Sequence, residues 1–475
     1  MSEIGDFGTI VLIVAGGFLV AVGTSKLTQR FPVPGPLVFL LAAAVATDLF
    51  PGLDVLSIRS VERIAVVALV VILFDGGMHV GWRRFRQSAI PITSLGVLGT
   101  FATAGVMAVF AHFLFDFGWT TAGLLGAALA PTDPAVMFSV LGKREIAGRS
   151  GTVLEGESGA NDPVGIALMI GMLHFATHAH SSFWVVVREF ALEMSIGLVI
   201  GVVGAGVLLL AMRRVTLPSE ALYPIRTLAF AGLIYGVASV AHGSGFLAVF
   251  VAGLLFGDAR APYKGDIERF HTSLASLAEV VVFAALGLTI DLESLGDGHR
   301  WLDGLLLALL LAFVARPLVV GPLLWPARLR LGERIFVLWG GLKGAVPILL
   351  GTFALLEGVG EADRIYGIVF VVVAFSVLVQ GTSVPFVAPR LHVPMRQREP
   401  RGLQRFVVAS GSRAAGHAIR ELPLGERTWI QEVLRDGRTL AARGGVVLEP
   451  GDEVVTVVSD AGDAAGVGRI FAGEG

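Results

Sequence analysis

"GESGANDPVG" (residues 156–165) sets Glu157, Asn161 and Asp162 inside a run that is otherwise apolar, and the fold depends on whether that run lies in a membrane. Composition answers first. The chain has 475 residues, 54% of them hydrophobic and 16% charged, with a mean hydropathy of +0.77, far from the values of soluble globular proteins. An all-α polytopic membrane protein is expected. Its 61 glycines suit helices whose backbones approach closely in lipid, as at Gly197, Gly201, Gly204 and Gly206. The amino terminus, Met1 to Asp6, has no basic segment and no evident cleavage site, so a cleaved signal peptide is not expected. The absence of cysteine excludes disulfides and thiolate metal sites. A net charge of −2, with no basic face interleaved with aromatics, removes nucleic-acid binding.

Apolar stretches long enough to cross about 30 Å of hydrocarbon begin near residues 7, 34, 60, 89, 119, 152, 183, 224, 243, 272, 300, 332 and 362. Thirteen spans put the termini on opposite sides. With the amino terminus outside, the inner loops hold seventeen Lys and Arg residues, among them Arg83, Arg84, Arg86, Arg213, Arg214 and Arg328, and the outer loops hold only Arg59, Arg63, Arg188, Arg300 and Arg364. The positive-inside rule therefore places the carboxyl terminus in the cytoplasm. Residues 1–390 form the transmembrane domain and 391–404 a linker. Residues 405–475 form a small α+β domain, whose short β-prone runs are separated by the turn signals Asp436-Gly437 and Pro450-Gly451-Asp452.

Three spans break the apolar rule. In the sixth, Glu157 and Asn161 stack at i,i+4, as do Ser158 and Asp162, so all four look into one cavity. Pro163 supplies no backbone hydrogen, which leaves the carbonyl of Gly159 without its helical partner. The fifth span, "GLLGAALAPTDPAVMFSVL", holds Thr132 and Asp133 between Pro131 and Pro134. Two prolines three residues apart predict two half-helices joined by an extended crossing. The twelfth, "WGGLKGAVPILLG", carries Lys343 among glycines and predicts a second break. Spans five and twelve differ by an odd number and so cross in opposite senses, as inverted repeats with a midplane site require. Asp133 and Lys343 are placed to neutralise the half-helix dipoles rather than to ligate an ion. Asp75 and Arg316 are secondary candidates, each at a membrane boundary or in an ion pair. His174, His178 and His180 read as a loop cluster rather than a metal site.

Burial disfavours an ionised carboxylate and a nearby cation favours it, so a proton and an alkali ion compete for the same group. If Asp162 is loaded from either side and crosses only when neutralised, that competition couples two opposite flows. The result is antiport, with oxygens from Asp162, Ser158, Thr132 and Glu157 replacing the ion's hydration shell. Asn161 holds Glu157 or the shape of the site by hydrogen bonds. A ligand-gated cation channel is the alternative from another class, but a single carboxylate site within one subunit offers no continuous pore. No enzyme motif accompanies the carboxylates, and no cofactor is expected.

"PTDPAV", "ESGANDP", "HGSGFLAVFVAGLLFGD" and "GGLKGAVPI", in this order across roughly residues 7–390, resemble the cation:proton antiporter superfamily, in particular its NhaP-like branch. The resemblance implies a homodimer of thirteen-helix subunits in a bacterial inner membrane, with crossed helices five and twelve and an elevator-like motion. It implies exchange at Asp162, with Glu157, Ser158, Thr132 and Asn161 around it, and electroneutral one-for-one stoichiometry from the Asn-Asp pair. Lys343 departs from the arginine of many relatives. The tail, through "ELPLGERTWIQEVLRDGRTLAARGGVVLEPGDEVV", resembles the TrkA-C (RCK-C) domain of potassium transport proteins, which implies regulation by a small ligand and favours K+ over Na+ as cargo in potassium, pH or volume homeostasis.

Overall fold

The computed structural model describes residues 34–49, 56–133, 135–141, 144–178, 183–397, 402–424, 428–435, 438–458 and 461–472. The span expected from residue 7 and the turn at Asp436-Gly437 lie outside them. The chain divides into two compact units, one of residues 1–211, 225–259 and 270–396, the other of residues 212–224, 260–269 and 397–475.

The first unit is helical. Each span expected from residue 34 onward has a helix or an interrupted helix at its place, in the order α1 (Gly35–Leu49), α2 (Ile58–Val80), the short α3 (Trp82–Gln87), α4 (Ala89–Phe115), α5 (Trp119–Leu129) with α6 (Ala135–Leu141), and α7 (Gly148–Thr177). Then come α8 (Phe183–Arg214), α9 (Leu222–Val240), α10 (Gly245–Gly257) and α11 (Lys264–Gly287). The last three spans are α12 (Arg300–Leu310) with α13 (Arg316–Leu323), α14 (Leu331–Trp339) with α15 (Ala345–Leu356), and α16 (Ala362–Phe375) with α17 (Thr382–Arg390). Among the described residues, seven helices are long and apolar enough to cross a membrane, and four shorter apolar helices accompany them.

Two local features position the site. The first is close packing of α2 on α10, where a methyl group at Gly77 would lie 2.5 Å from the carbonyl oxygen of Phe250. Only a bare backbone fits there. The second is a set of π-helical turns, Ser94–Gly99 within α4, Leu311–Ala315 between α12 and α13, and Ser376–Gly381 between α16 and α17. Such turns admit an extra residue and re-aim side chains: Arg316 follows the second turn, and Gln380 lies within the third. By contrast, α7 runs continuously through Pro163.

The second unit is built on a four-stranded antiparallel sheet, ordered β3-β6-β4-β5, with β3 at Gly402–Val407, β4 at Thr428–Arg435, β5 at Arg438–Ala441 and β6 at Glu453–Val458. Before it in the chain, β1 (Arg144–Ile146) and β2 (Met395–Gln397) form a two-stranded ribbon. The helix α18 (Ala461–Phe471) supplies Val467, Ile470 and Phe471 to a core shared with Val433, Leu448 and Val454. Residues 212–224 and 260–269 also belong to this unit: Leu217 N donates to the Tyr223 hydroxyl at 3.2 Å, and Gln431 Nε2 donates to Asp266 Oδ2 at 3.1 Å.

Asp452 sits in the turn expected at residues 450–452, where Gly451 takes φ +95°. Its carboxylate is buried and receives Arg435 Nε and Nη2, each at 2.8 Å, as well as the Glu449 amide at 2.8 Å. Arg435 thereby holds the Asp452 carboxyl below the usual carboxylate range. A depressed native pKa gives stability that is present above the unfolded value of about 4 and is lost as pH falls through the native one. Arg435→Ala should therefore raise amide exchange across β4 and β6 at pH 7 by roughly thirtyfold, the effect of about 2 kcal/mol for a buried acceptor left unmet. The difference from wild type should shrink on acidification below pH 4, as read by hydrogen–deuterium exchange of the full-length protein.

Candidate cation site

The fifth and twelfth spans are interrupted where their sequences predict. Neither Pro131 nor Pro134 can donate a backbone hydrogen bond, and α5 stops at Leu129 before α6 resumes at Ala135. Between α14 and α15 the chain is non-helical over residues 341–344. The two breaks meet: Asp133 N donates to the carbonyl of Leu342 at 2.8 Å.

Each break sends a charge to the other's helix end. Lys343 Nζ donates to the carbonyls of Ala130 and Pro131 at 2.9 and 2.8 Å, meeting the negative end of α5. The Asp133 carboxylate lies against Gly344, the residue before α15, at the positive end of that helix; a Cβ at Gly344 would fall on the carboxylate. Lys343 is 2% exposed. A fully buried ammonium is tolerated because its donors have acceptors.

On α7, Glu157, Ser158, Asn161 and Asp162 are all buried, and the break in the fifth span faces them. Asn161 Nδ2 donates to Thr132 Oγ1 at 2.7 Å, and Thr132 N donates to Asn161 Oδ1 at 3.3 Å. Asn161 is thus strapped to Thr132, and Glu157 has a different partner. Arg316 Nη1 and Nη2 donate to the two carboxylate oxygens of Glu157 at 2.9 and 3.1 Å, while Nε and Nη2 also meet the carbonyls of Leu338 and Val337 at 2.8 and 3.0 Å. Arg316, 5% exposed, is thus in an ion pair, one of the two places expected for it.

Asp162 remains. Its Oδ1 is shielded from solvent and, among the described residues, receives no hydrogen bond. Asp133 and Lys343 are the charges that act on it. Thr132 is tied beside it through Asn161, and Ser158 precedes it by one turn. An anionic oxygen with no donor among the described residues fits an alkali cation or a proton and fits no anion. The site thus gathers Asp162, Asn161, Ser158, Thr132, Asp133, Lys343, Glu157 and Arg316. It leaves out Asp75, which accepts from Thr272 Oγ1 at 3.2 Å and lies 3.3 Å from His79 Nδ1. His174 pairs with Glu189 at 2.9 Å, His180 lies outside the described residues, and no group of three metal ligands occurs among those described.

One polar network has no counterpart in the sequence expectations. Ser376 Oγ accepts from Lys343 N at 2.9 Å and donates to Gln380 Oε1 at 2.7 Å; Gln380 Nε2 donates to the carbonyl of Trp339 at 3.2 Å. Trp339 Nε1 in turn donates to Ser383 Oγ at 2.8 Å. The signal was available as three polar residues at near-helical spacing in "SVLVQGTS".

The profile of the sodium/hydrogen exchanger transmembrane family matches residues 17–389. The chain belongs to that family. The TrkA-C domain profile matches residues 403–469 of this exchanger-family chain. Over 467 residues it is 32% identical to the K(+)/H(+) antiporter NhaP of Alkalimonas amylolytica, covering 94% of this chain and 80% of that one. It is 30% identical to the K(+)/H(+) antiporter NhaP2 of Shewanella oneidensis, over 92% and 79%. The structure of the sodium proton antiporter MjNhaP1 of Methanocaldococcus jannaschii shares the fold with a TM-score of 0.69 and 23% identity, covering 82% of this chain and 99% of that one.

In this exchanger fold the Glu157–Arg316 pair ties α7 to α13 and α14, and removal of one partner strands a buried charge. Arg316→Ala should lower stability by about 3–5 kcal/mol, and adding Glu157→Gln should recover part of that loss, as measured by thermal unfolding of the purified protein in detergent.

Proposed function

We propose that this chain is a secondary active antiporter that exchanges a monovalent alkali cation for a proton across a bacterial inner membrane. The observation that carries the reading is Asp162: a buried carboxylate oxygen with no donor among the described residues, one helical turn after Ser158 and next in sequence to Asn161, which holds Thr132. A bare anion there is costly. A proton or an alkali ion removes that cost, and one site holds only one of them at a time. Asp162 is thus the exchanging group. Ser158 and Thr132 supply neutral oxygens, and Asn161 fixes Thr132 without adding a second charge, which fits one-for-one, electroneutral exchange.

The remaining charges keep the site in shape. Glu157 is committed to Arg316 and lies outside the ligand set, while Asp133 and Lys343 complete the two half-helix ends. Thirteen helices in inverted repeats, a homodimer, an elevator-like motion of the crossed helices, an outer amino terminus and a cytoplasmic tail complete the proposal. K+ is the favoured cargo, because relatives named as K(+)/H(+) antiporters align over more than nine-tenths of the chain, tail included. Na+ is the second reading, supported by 27% identity over 66% of the chain to the Na(+)/H(+) antiporter NhaH of Halobacillus dabanensis. The tail is assigned a regulatory role through a small ligand.

In proteoliposomes, a gradient of K+ or Na+ should drive protons the opposite way with no membrane potential imposed, and Asp162→Asn should lose the exchange while unfolding at a temperature close to wild type. Because proton and cation compete, the apparent KM for the cation should rise about tenfold per pH unit on the acid side of the titration. Cation flux that follows voltage without moving protons would exclude antiport, and comparison of equal K+, Na+, Li+ and Rb+ gradients ranks the cargoes.

A further inference from the structure

Ser376 and Gln380 lie in the apolar thirteenth span and are 2% and 4% exposed. Both belong to the π-helical turn Ser376–Gly381, a rare geometry that recurs at functional sites. Ser376 Oγ accepts from Lys343 N at 2.9 Å and donates to Gln380 Oε1 at 2.7 Å, and Gln380 Nε2 donates to the carbonyl of Trp339 at 3.2 Å. A further tie runs through Ser383, whose Oγ receives Trp339 Nε1 at 2.8 Å and donates to the Gln380 carbonyl at 2.6 Å. The turn therefore clasps the second break at Trp339, where α14 ends, and again at Lys343.

The other end of Lys343 gives this clasp its reach. Its Nζ donates to the carbonyls of Ala130 and Pro131 at 2.9 and 2.8 Å. Pro131 is bonded to Thr132, whose Oγ1 receives Asn161 Nδ2 at 2.7 Å. An unbroken path of hydrogen bonds and covalent bonds thus leads from Gln380 through Ser376, Lys343 and Pro131 to the Thr132 hydroxyl, one of the neutral oxygens assigned to the cation. Packing alone does not fix this side of the break, because a cavity lies there, lined by Gly341, Lys343, Ser376, Gln380 and Arg316 with apolar neighbours. Where a wall has room to move, its hydrogen bonds decide where it stands.

We propose that Ser376 and Gln380 are positioning residues that set which alkali cation the site prefers, by fixing Lys343 and through it the position of the Thr132 hydroxyl oxygen. The proposal rests on the antiport reading and names what sets its cargo preference. K+ and Na+ take the same oxygen ligands and are told apart by the number, field strength and spacing of those oxygens. Cutting the clasp lets the break relax toward the cavity, and the better fit to one ion is lost before the capacity to bind ions at all.

Ser376→Ala removes one oxygen and both of its bonds. In proteoliposomes at fixed pH it should raise the apparent KM for the preferred cation roughly tenfold, bring the K+ and Na+ values within about twofold of each other and leave the maximal rate within about twofold of wild type. Ser376→Thr keeps the hydroxyl and should bring both KM values back toward wild type. Gln380→Met, of similar length without the polar ends, should repeat the effect of Ser376→Ala, and combining the two should add little because both cut one path. Cation binding is read separately from the rise in unfolding temperature of the purified protein with K+ or Na+ concentration, and its half-saturation point should shift by the same factor as KM. A lower unfolding temperature with wild-type KM values and cation order in Ser376→Ala and Gln380→Met overturns the proposal, as does a lower maximal rate with KM unchanged. If Gln380→Met does not fold, Ser376→Ala decides alone. Wild-type vesicles that exchange no cation for protons would instead sink the antiport reading, and the binding shift still tests the clasp.

Discussion

A helix that stops inside a membrane leaves carbonyls at one end and amides at the other with no water to satisfy them. Everything at the centre of this protein follows from two such stops placed against each other. Lys343 satisfies carbonyls at the end of α5, Asp133 faces the start of α15, and a backbone bond from Asp133 N to Leu342 O locks the crossing. The glycines of "GGLKG" are part of this arrangement: a methyl at Gly341 would fall on the Arg316 guanidinium and one at Gly344 on the Asp133 carboxylate. Small residues here make room for charges.

Once the helix ends are met, the remaining charges fall into two kinds, those held by a partner and those with an oxygen left unmet. Glu157, with both oxygens held by Arg316, behaves as a strut joining α7 to the end of α14. Ser376 and Gln380 hold the second crossing from its other side through Lys343 N and the carbonyl of Trp339. A frame of hydrogen-bonded side chains therefore surrounds Asp162, whose Oδ1 has no donor among the described residues. Rigidity matters because the oxygens that replace a hydration shell discriminate by number and field strength. A loose frame would accept any cation.

Much of this was legible in the sequence, and the failures are instructive. The paired prolines around Asp133 and the glycines around Lys343 announce two breaks, since no backbone hydrogen is available at the first and little helix propensity at the second. The i,i+4 spacing of Ser158 and Asp162 announces one face. Partner choice was not legible: Asn161 stood as near Glu157 in the sequence as Thr132 proved to be in space, and Arg316 looked peripheral because the π turn before it hides its direction.

Lysine at position 343 suits the geometry of its acceptors. A guanidinium is planar and best matched to a carboxylate, with two parallel donors in a fixed fork. Here the acceptors are the carbonyls of two successive residues, Ala130 and Pro131, at 2.9 and 2.8 Å. They converge on one point, as the end of a helix naturally presents them, and a compact ammonium with rotatable donors serves them both. The forked interaction is used once in this centre, by Arg316 on Glu157, where the acceptor is a carboxylate. The two cations are thus not interchangeable: one closes a helix and the other neutralises an acid.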